Sequence, residues 1–228
     1  MMKAQEQNGA HGLVLQLVNA LREAIIFGRY RPRERLVEEE ITERYRTTRH
    51  VLRNAFAELD HMGLIERRPN KGVIVRDFSL AELEELYEMR ALLQTEAARR
   101  IAFPAPLDFI ADLKRINDAY LAAGTAGDKE KASRLNTTFH DTLFAACQNR
   151  FLAQSISQFW LRTTPIHWYA LGDSNHLVNS HRDHANMILA IEDGDRERLA
   201  KLCRDHIYPA LVAYRRVHAI FQGADEVR

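Results

Sequence analysis

The sequence predicts a mainly α protein in two parts. A small N-terminal domain of three helices is closed by a β-hairpin, and a C-terminal antiparallel helical bundle follows. Three observations carry this. Apolar residues recur at helical spacing through most of the 228 residues. Strand-like runs are confined to "LIER" and "VIVRD", on either side of a Pro-Asn-Lys-Gly turn. Charge is also split along the chain. Residues 1–78 hold 14 Lys/Arg and 11 Asp/Glu, residues 79–228 hold 18 and 20, and the net charge of +1 hides a basic N-terminal end.

Taken in order, "MMKAQEQNGAHG" lacks the apolar stretch of a signal peptide and reads as a loose tail over 1–12. "LVLQLVNALREAIIFG" places Leu13, Leu17, Val18, Leu21, Ile25 and Ile26 on one helical face and stops at Gly28. "RYRPRERL" is a loop punctuated by Pro32. "VEEEITERY" is a short helix whose acidic first turn suits the helix dipole. After the turn "RTT", Thr47 or Thr48 can cap "RHVLRNAFAELDHMG", which ends at Gly63. Helix, helix, short turn, helix and hairpin make a winged helix-turn-helix over 13–77.

The third helix would enter a major groove. Arg49 and Arg53 share a face of its first turns, within reach of base edges and phosphates. Thr48 at the helix start can donate to a phosphate. Arg35 in the preceding loop could reach backbone or base. Lys71 and Gly72 at the wing tip could approach the minor groove. The plainer reading makes these arginines a solvated face with surface ion pairs. Three separate basic clusters on this element order favour double-stranded DNA.

Composition excludes other classes. With 46% hydrophobic and 28% charged residues the chain is a folded globular protein. No apolar run approaches the ~20 residues that span a bilayer. Cys147 and Cys203 form neither a metal-type CxxC nor a disulfide scaffold, so a cytoplasmic protein with reduced thiols is expected.

The stretch "LREAIIFGRYRPRERLVEEEITERY…TTRHVLRNAFAELDHMGLIERRPNKGVIV" closely resembles the DNA-binding domain of GntR-family bacterial transcription regulators. The remainder resembles the all-helical effector domain (FCD) of the FadR-like branch, and together the match covers nearly the whole chain. The resemblance implies that Arg35, Arg49, Arg53 and Gly72 meet DNA. The sequence departs from the family pattern at four places. Arg33 follows Pro32, and Arg46 stands in the turn, where glycine is usual in both places. His50-Val51 replaces Thr-Pro, and Asn54 replaces Glu. The last two changes bear on the base sequence read.

Residues 78–222 divide into six helical segments, at about 79–102, 106–123, 128–147, 150–170, 178–193 and 195–221. Ser79 with Glu82 forms a capping box for the first, and Pro104 and Pro106 end it. Gly124 and Gly127 end the second, and Gly194-Asp195 separates the last two. Such helices build an antiparallel effector-binding and dimerisation bundle.

Polar residues then fall among core positions. In "NTTFHDTLF", Asn136 and His140 share one face of the third bundle helix. His184 precedes Met187, Ile188 and Ile191, and His206 sits among Leu199, Leu202, Cys203 and Ala210. These are either hydrogen-bonded core groups or a convergent site, and three imidazoles suit a divalent ion such as zinc or nickel. The family resemblance implies a metal held by an Asp or Asn, a His four residues later and two further His. That pattern falls on Asn136, His140, His184 and His206, with Asn136 standing where Asp is more frequent. Arg90 resembles the cavity-lining arginine of the first effector-domain helix, and would bind a carboxylate or pair with Glu85, Glu88 or Glu96. Arg162, in "FWLRTTPIHWYA", joins it as a candidate effector contact. Trp160, His167, Trp168 and Tyr169 shape either a pocket wall or a dimer interface. His181 is a second-shell or surface residue, and both cysteines read as core.

The resulting expectation is a ligand-responsive regulator, and most family members repress. As a homodimer it would bind a pseudo-palindromic operator and respond to a small organic acid. It would not be an enzyme and would bind no membrane. The alternatives are a metal-dependent hydrolase with Asp141, Asp183 or Asp205 near the His cluster, and a regulator whose cluster holds no metal.

Overall fold

The computed structural model describes residues 2–68 and 72–215, and the chain divides into two units at Phe78–Ser79. In the first, α1 (Met2–Ile26) packs on α3 (Arg49–His61) beside α2 (Glu38–Arg44). Strands β1 (Ile65–Arg68) and β2 (Gly72–Val75) pair antiparallel, with Ile65 opposite Val75 and Arg68 opposite Gly72. The loop before α2 adds a bridge from Arg35 to Ile74, so the wing is broadened by a third extended segment. Leu21, Ile41, Leu52, Phe56, Leu59 and Ile65 fill this unit's core.

Segment 1–12, expected as a loose tail, is instead helical from Met2 onward. Lys3, Ala4, Gln5, Glu6 and Gln7 are strong helix formers that extend an existing helix. The turn between α2 and α3 carries an arginine at a left-handed position. Arg46 has φ 48°, its amide bonds to the Glu43 carbonyl, and the Thr47 amide bonds to the Thr42 carbonyl. That is a Schellman cap, whose left-handed position glycine occupies after α1, α3, α5 (Leu107–Thr125) and α8 (Ser174–Glu192).

The second unit comprises α4 (Leu80–Arg100), α5, α6 (Lys129–Ala145), α7 (Arg150–Ala170), α8 and α9 (Arg196–Asp205). Helix pairs α5/α6, α4/α9, α5/α8, α4/α7, α8/α9 and α6/α7 pack together. The expected capping box is present: Ser79 Oγ accepts from the Glu82 amide at 3.2 Å, and the Ser79 amide donates back to Glu82 Oε2 at 2.8 Å. Ala97, Ile101, Leu113, Phe139, Leu143, Met187 and Leu199 are fully buried at one end of the bundle.

Three boundaries differ from the sequence reading. Helix α8 starts at Ser174 rather than 178, because Asp173 caps it by accepting from the Asn175 amide. Gly124 lies inside α5 rather than ending it. A Cβ there would meet Leu177 at 2.4 Å, so this glycine permits the close approach of α8. The final helix is not continuous. It breaks at residues 206–207 and resumes over 208–215. Pro209 has no N–H for the Asp205 carbonyl, which explains the break and leaves His206 at the end of α9. The expected extension to 221 lies partly outside the described residues.

Candidate nucleic-acid interface and metal centre

On the winged unit the α3 start is built as expected. Thr48 is the N-cap, and its Oγ1 accepts from the Val51 amide at 3.3 Å, leaving its own hydroxyl proton to donate. Arg49 is exposed and has no ion-pair partner among the described residues. Arg53 lies 3.8 Å from Glu38, with both side chains over one-third exposed. Such a pair contributes little and yields readily to a phosphate. His50 Nε2 and Asn54 Nδ2 lie 3.3 Å apart on the same exposed face. Arg35 folds over Gly72, whose φ of 74° demands glycine and whose missing Cβ would sit 3.7 Å from the guanidinium. Loop arginine and wing glycine, far apart in sequence, are therefore neighbours. Lys71 lies outside the described residues.

In the helical unit His140 (α6), His184 (α8) and His206 (end of α9) converge, with one ligand nitrogen from each within 4.8 Å of the others. Phe139 stacks on the His184 ring at 4.0 Å and fixes its plane. Asn136 is fully buried one turn before His140, and neither atom of its amide has a partner. Both ring nitrogens of His140 are likewise buried and without partners. Burial first, and charge on neighbouring His206 second, push His140 and His184 well below the usual imidazole range, so both are neutral.

The surrounding bonds assign the Nδ1 protons of His184 and His206. Asn117 Nδ2 donates to the His181 carbonyl at 3.1 Å, which orients Asn117 Oδ1 toward His184. That oxygen only accepts, so His184 carries its proton on Nδ1 (3.1 Å) and leaves Nε2 bare. Asp183 Oδ2 accepts from His206 Nδ1 at 3.2 Å, which bares the Nε2 of a neutral His206 too. Yet the two Nε2 atoms face each other at 3.2 Å. Two lone pairs repel unless a second proton on His206, donated to His184, or a bound cation lies between them. Nitrogens each about 2.0–2.1 Å from one ion stand roughly 3.0–3.4 Å apart at octahedral to tetrahedral angles. The donor set, its carboxylate and amide supports and the orphaned Asn136 and His140 therefore fit a divalent cation.

Arg90 of α4 has no carboxylate partner among the described residues; none of the three glutamates considered pairs with it. It is buried, with its guanidinium 4.9 Å over Tyr87 and 4.7 Å over Trp160. Its Nε and both amide atoms of buried Gln94 have no partner. Arg162 is half-buried and lies over Phe159 of its own helix at 5.6 Å. Trp160 belongs to the site, 5.0 Å from His140. The His181 ring faces outward toward Asp118, and only its carbonyl supports the cluster. Cys203 is core, its thiol pushed by burial up to about 12. The sequence reading missed Asn117 and His176. Asn117 was legible in principle, since it follows Ile116 and precedes Tyr120 on the apolar stripe of α5.

The aspartates that a hydrolase would need are occupied. Asp183 holds His206, Asp141 accepts from Ser157, and Asp205 pairs with Lys201 and Arg204. A winged helix with an exposed recognition face, and a helical bundle with a buried polar centre, define a DNA-binding regulator with a sensor domain. Residues 13–75 match the bacterial regulatory proteins of the gntR family, and residues 85–208 match the FCD domain. The chain belongs to the gntR family, in its FCD-containing form, and is a transcription regulator rather than an enzyme.

Relatives include an HTH-type transcriptional regulator of Agrobacterium vitis, 31% identical over 59% of this chain and 80% of its own length. The Nta operon transcriptional regulator of Aminobacter aminovorans is 27% identical over 78% of this chain and 83% of its own. Among solved structures, Escherichia coli McbR/YncC superposes with a TM-score of 0.73 at 19% identity, covering 93% of this chain and 98% of its own. A putative GntR regulator from Rhodococcus gives 0.74 at 20% identity, over 88% and 96%. At such identities the structures speak for the fold alone. No helix among the described residues is long and apolar enough to cross a membrane.

Proposed function

We propose that this regulator is a homodimeric repressor whose helical domain binds a small organic acid at a divalent metal, zinc or nickel. Asn136, His140, His184 and His206 hold the ion. The observation that carries the reading is the convergence of three imidazoles with the buried, unpartnered Asn136 amide and His140 ring, beside a buried, carboxylate-free guanidinium. A bound ion supplies a positive centre with open positions for a carboxylate. Arg90 supplies the second cation, and the Tyr87 and Trp160 faces hold it in place. Arg162 lies further along the same helix as Trp160 and completes the candidate effector contacts.

Arg35, Thr48, Arg49, Arg53, Lys71 and Gly72 form the DNA face, and two such faces read the half-sites of a pseudo-palindromic operator. Release follows if the acid prefers the arrangement of domains that fits DNA less well, since a ligand shifts an equilibrium only by its differential affinity. The test is fluorescence anisotropy on an operator selected from random DNA, with protein metal-loaded or chelator-stripped, titrated with organic acids. Release by an acid that depends on metal supports the reading. Release that ignores stripping points to a metal-free pocket, and DNA binding that no acid alters sinks it.

A further inference from the structure

Two histidines beyond the metal set remain unaccounted for. His167 (α7) is 8% exposed and its Nδ1 has no partner. His176, in the first turn of α8, is partly buried, and its Nε2 is buried without a partner. The two rings lie 5.5 Å apart at 67°. They adjoin the metal set through Trp160, which is 5.7 Å from His167 and 5.0 Å from His140. His206 and Arg90 are close enough to act electrostatically on His167. Burial keeps both imidazoles neutral, so each has one N–H to give.

Two imidazoles without a third donor make a poor metal site. They make a good hydrogen-bonding end for an oxyanion that is anchored elsewhere. Charge count also bears on the ligand. The proposed metal ligands are one amide and three imidazoles, all neutral, and Arg90 adds a further positive charge with no buried carboxylate beside it. A monoacid leaves positive charge uncompensated in a buried site, whereas a diacid compensates more of it.

Resting on the metal-and-acid reading above, we infer that His167 and His176 form a second subsite beside the metal set and Arg90. It receives the far carboxylate of an α,ω-dicarboxylic acid whose near carboxylate lies at the metal and Arg90. The pair thus sets specificity for diacids over monoacids of equal length.

The experiment uses the full-length, metal-loaded protein. Binding of malonate, succinate, glutarate and adipate is measured by calorimetry against the monocarboxylates of the same chain lengths. The best diacid is expected to bind at least about tenfold tighter than its monoacid, as a hydrogen bond to a charged group allows. In His176→Gln and His167→Phe that advantage falls to near parity, while metal content by elemental analysis and monoacid affinity are unchanged. If His167→Phe does not fold by circular dichroism, the less buried His176→Gln carries the test. Equal binding of mono- and diacids by the parent protein, or an undiminished diacid advantage in folded variants, overturns the second subsite and leaves the acid reading standing. Failure of every acid to bind the parent protein overturns both.

Discussion

In the winged unit the groups proposed to meet DNA stand outside the core. Arg49, His50, Arg53 and Asn54 are exposed on α3, while Val51, Leu52, Ala55 and Phe56 of the same helix are buried. In the helical unit the functional groups are the core. Arg90, Gln94, Asn117, Asn136, His140, His167 and His184 are buried among Tyr87, Tyr120, Phe139 and Trp160. A DNA contact can therefore be removed without disturbing the fold that presents it. Removing a ligand contact there can leave its support unsatisfied, as Asn117 Oδ1 holds His184 and Asp183 holds His206.

Substitutions at the sensor core should give the largest effects. His184→Ala removes one metal nitrogen and strands Asn117 Oδ1. Metal content by elemental analysis is expected to fall to background, and retention of a full equivalent would remove His184 from the site. Asn117→Leu keeps every ligand but frees the His184 tautomer, and should weaken metal binding by roughly 10–100-fold. If both variants keep wild-type metal affinity, the buried set is structural and the contrast between the units disappears.

Next in size is Arg49→Ala. Loss of a groove-facing arginine is expected to cost about 1–3 kcal/mol of operator affinity, roughly 10–100-fold in anisotropy titrations, with the melting temperature unchanged. A fall in melting temperature of several degrees would mean that Arg49 is structural and that α3 does not separate function from core as described.

The two units also respond differently to acid. Burial, with neighbouring charge as a lesser cause, holds His140, His167, His176 and His184 below the ordinary imidazole range. The unfolded chain takes up protons there below about pH 6.5, while the folded bundle does not. Stability from these groups is thus complete above that pH and is lost as pH falls toward the depressed folded values. Melting of metal-free protein followed by circular dichroism should show the helical unit losing stability from pH 6.5 to 5. A bundle that gains stability over that interval would contradict the buried neutral cluster.

The same contrast governs how much could be read from the chain. Exposed arginines at i and i+4 on a helix after a short turn are local features, so Arg49, Arg53 and the capping Thr48 were legible, as was the Ser79–Glu82 box. His140, His184 and His206 could be picked out as inward residues on three helices, which left convergence as one of two readings, and the family resemblance favoured it. Asn117 and His176 were not singled out. An Asn on an apolar stripe has too many ordinary explanations, and His176 precedes the expected start of its helix because the Asp173 cap was not recognised. The break at His206 was missed for want of weight on Pro209, whose missing N–H acts four residues back.

The smallest effect tests the scaffold of the winged unit. Arg46 takes a left-handed φ of 48° at the Schellman position between α2 and α3, where an L side chain is strained by about 1–2 kcal/mol and glycine is not. Arg46→Gly should raise stability by roughly 1 kcal/mol or slightly less, because glycine gives back part of the gain as unfolded-chain entropy. For a unit of this size that is a rise of about 4–8 °C in its melting temperature. Arg46 is also exposed one turn before the recognition helix, so the same change removes a cation near DNA. A variant that melts higher and binds operator more weakly at low salt would mean that this chain keeps the strained arginine for its charge. A variant that melts higher and binds equally well would reduce Arg46 to a tolerated departure from glycine. A variant that melts lower would show that the arginine side chain holds the turn, against the strain assigned to it here.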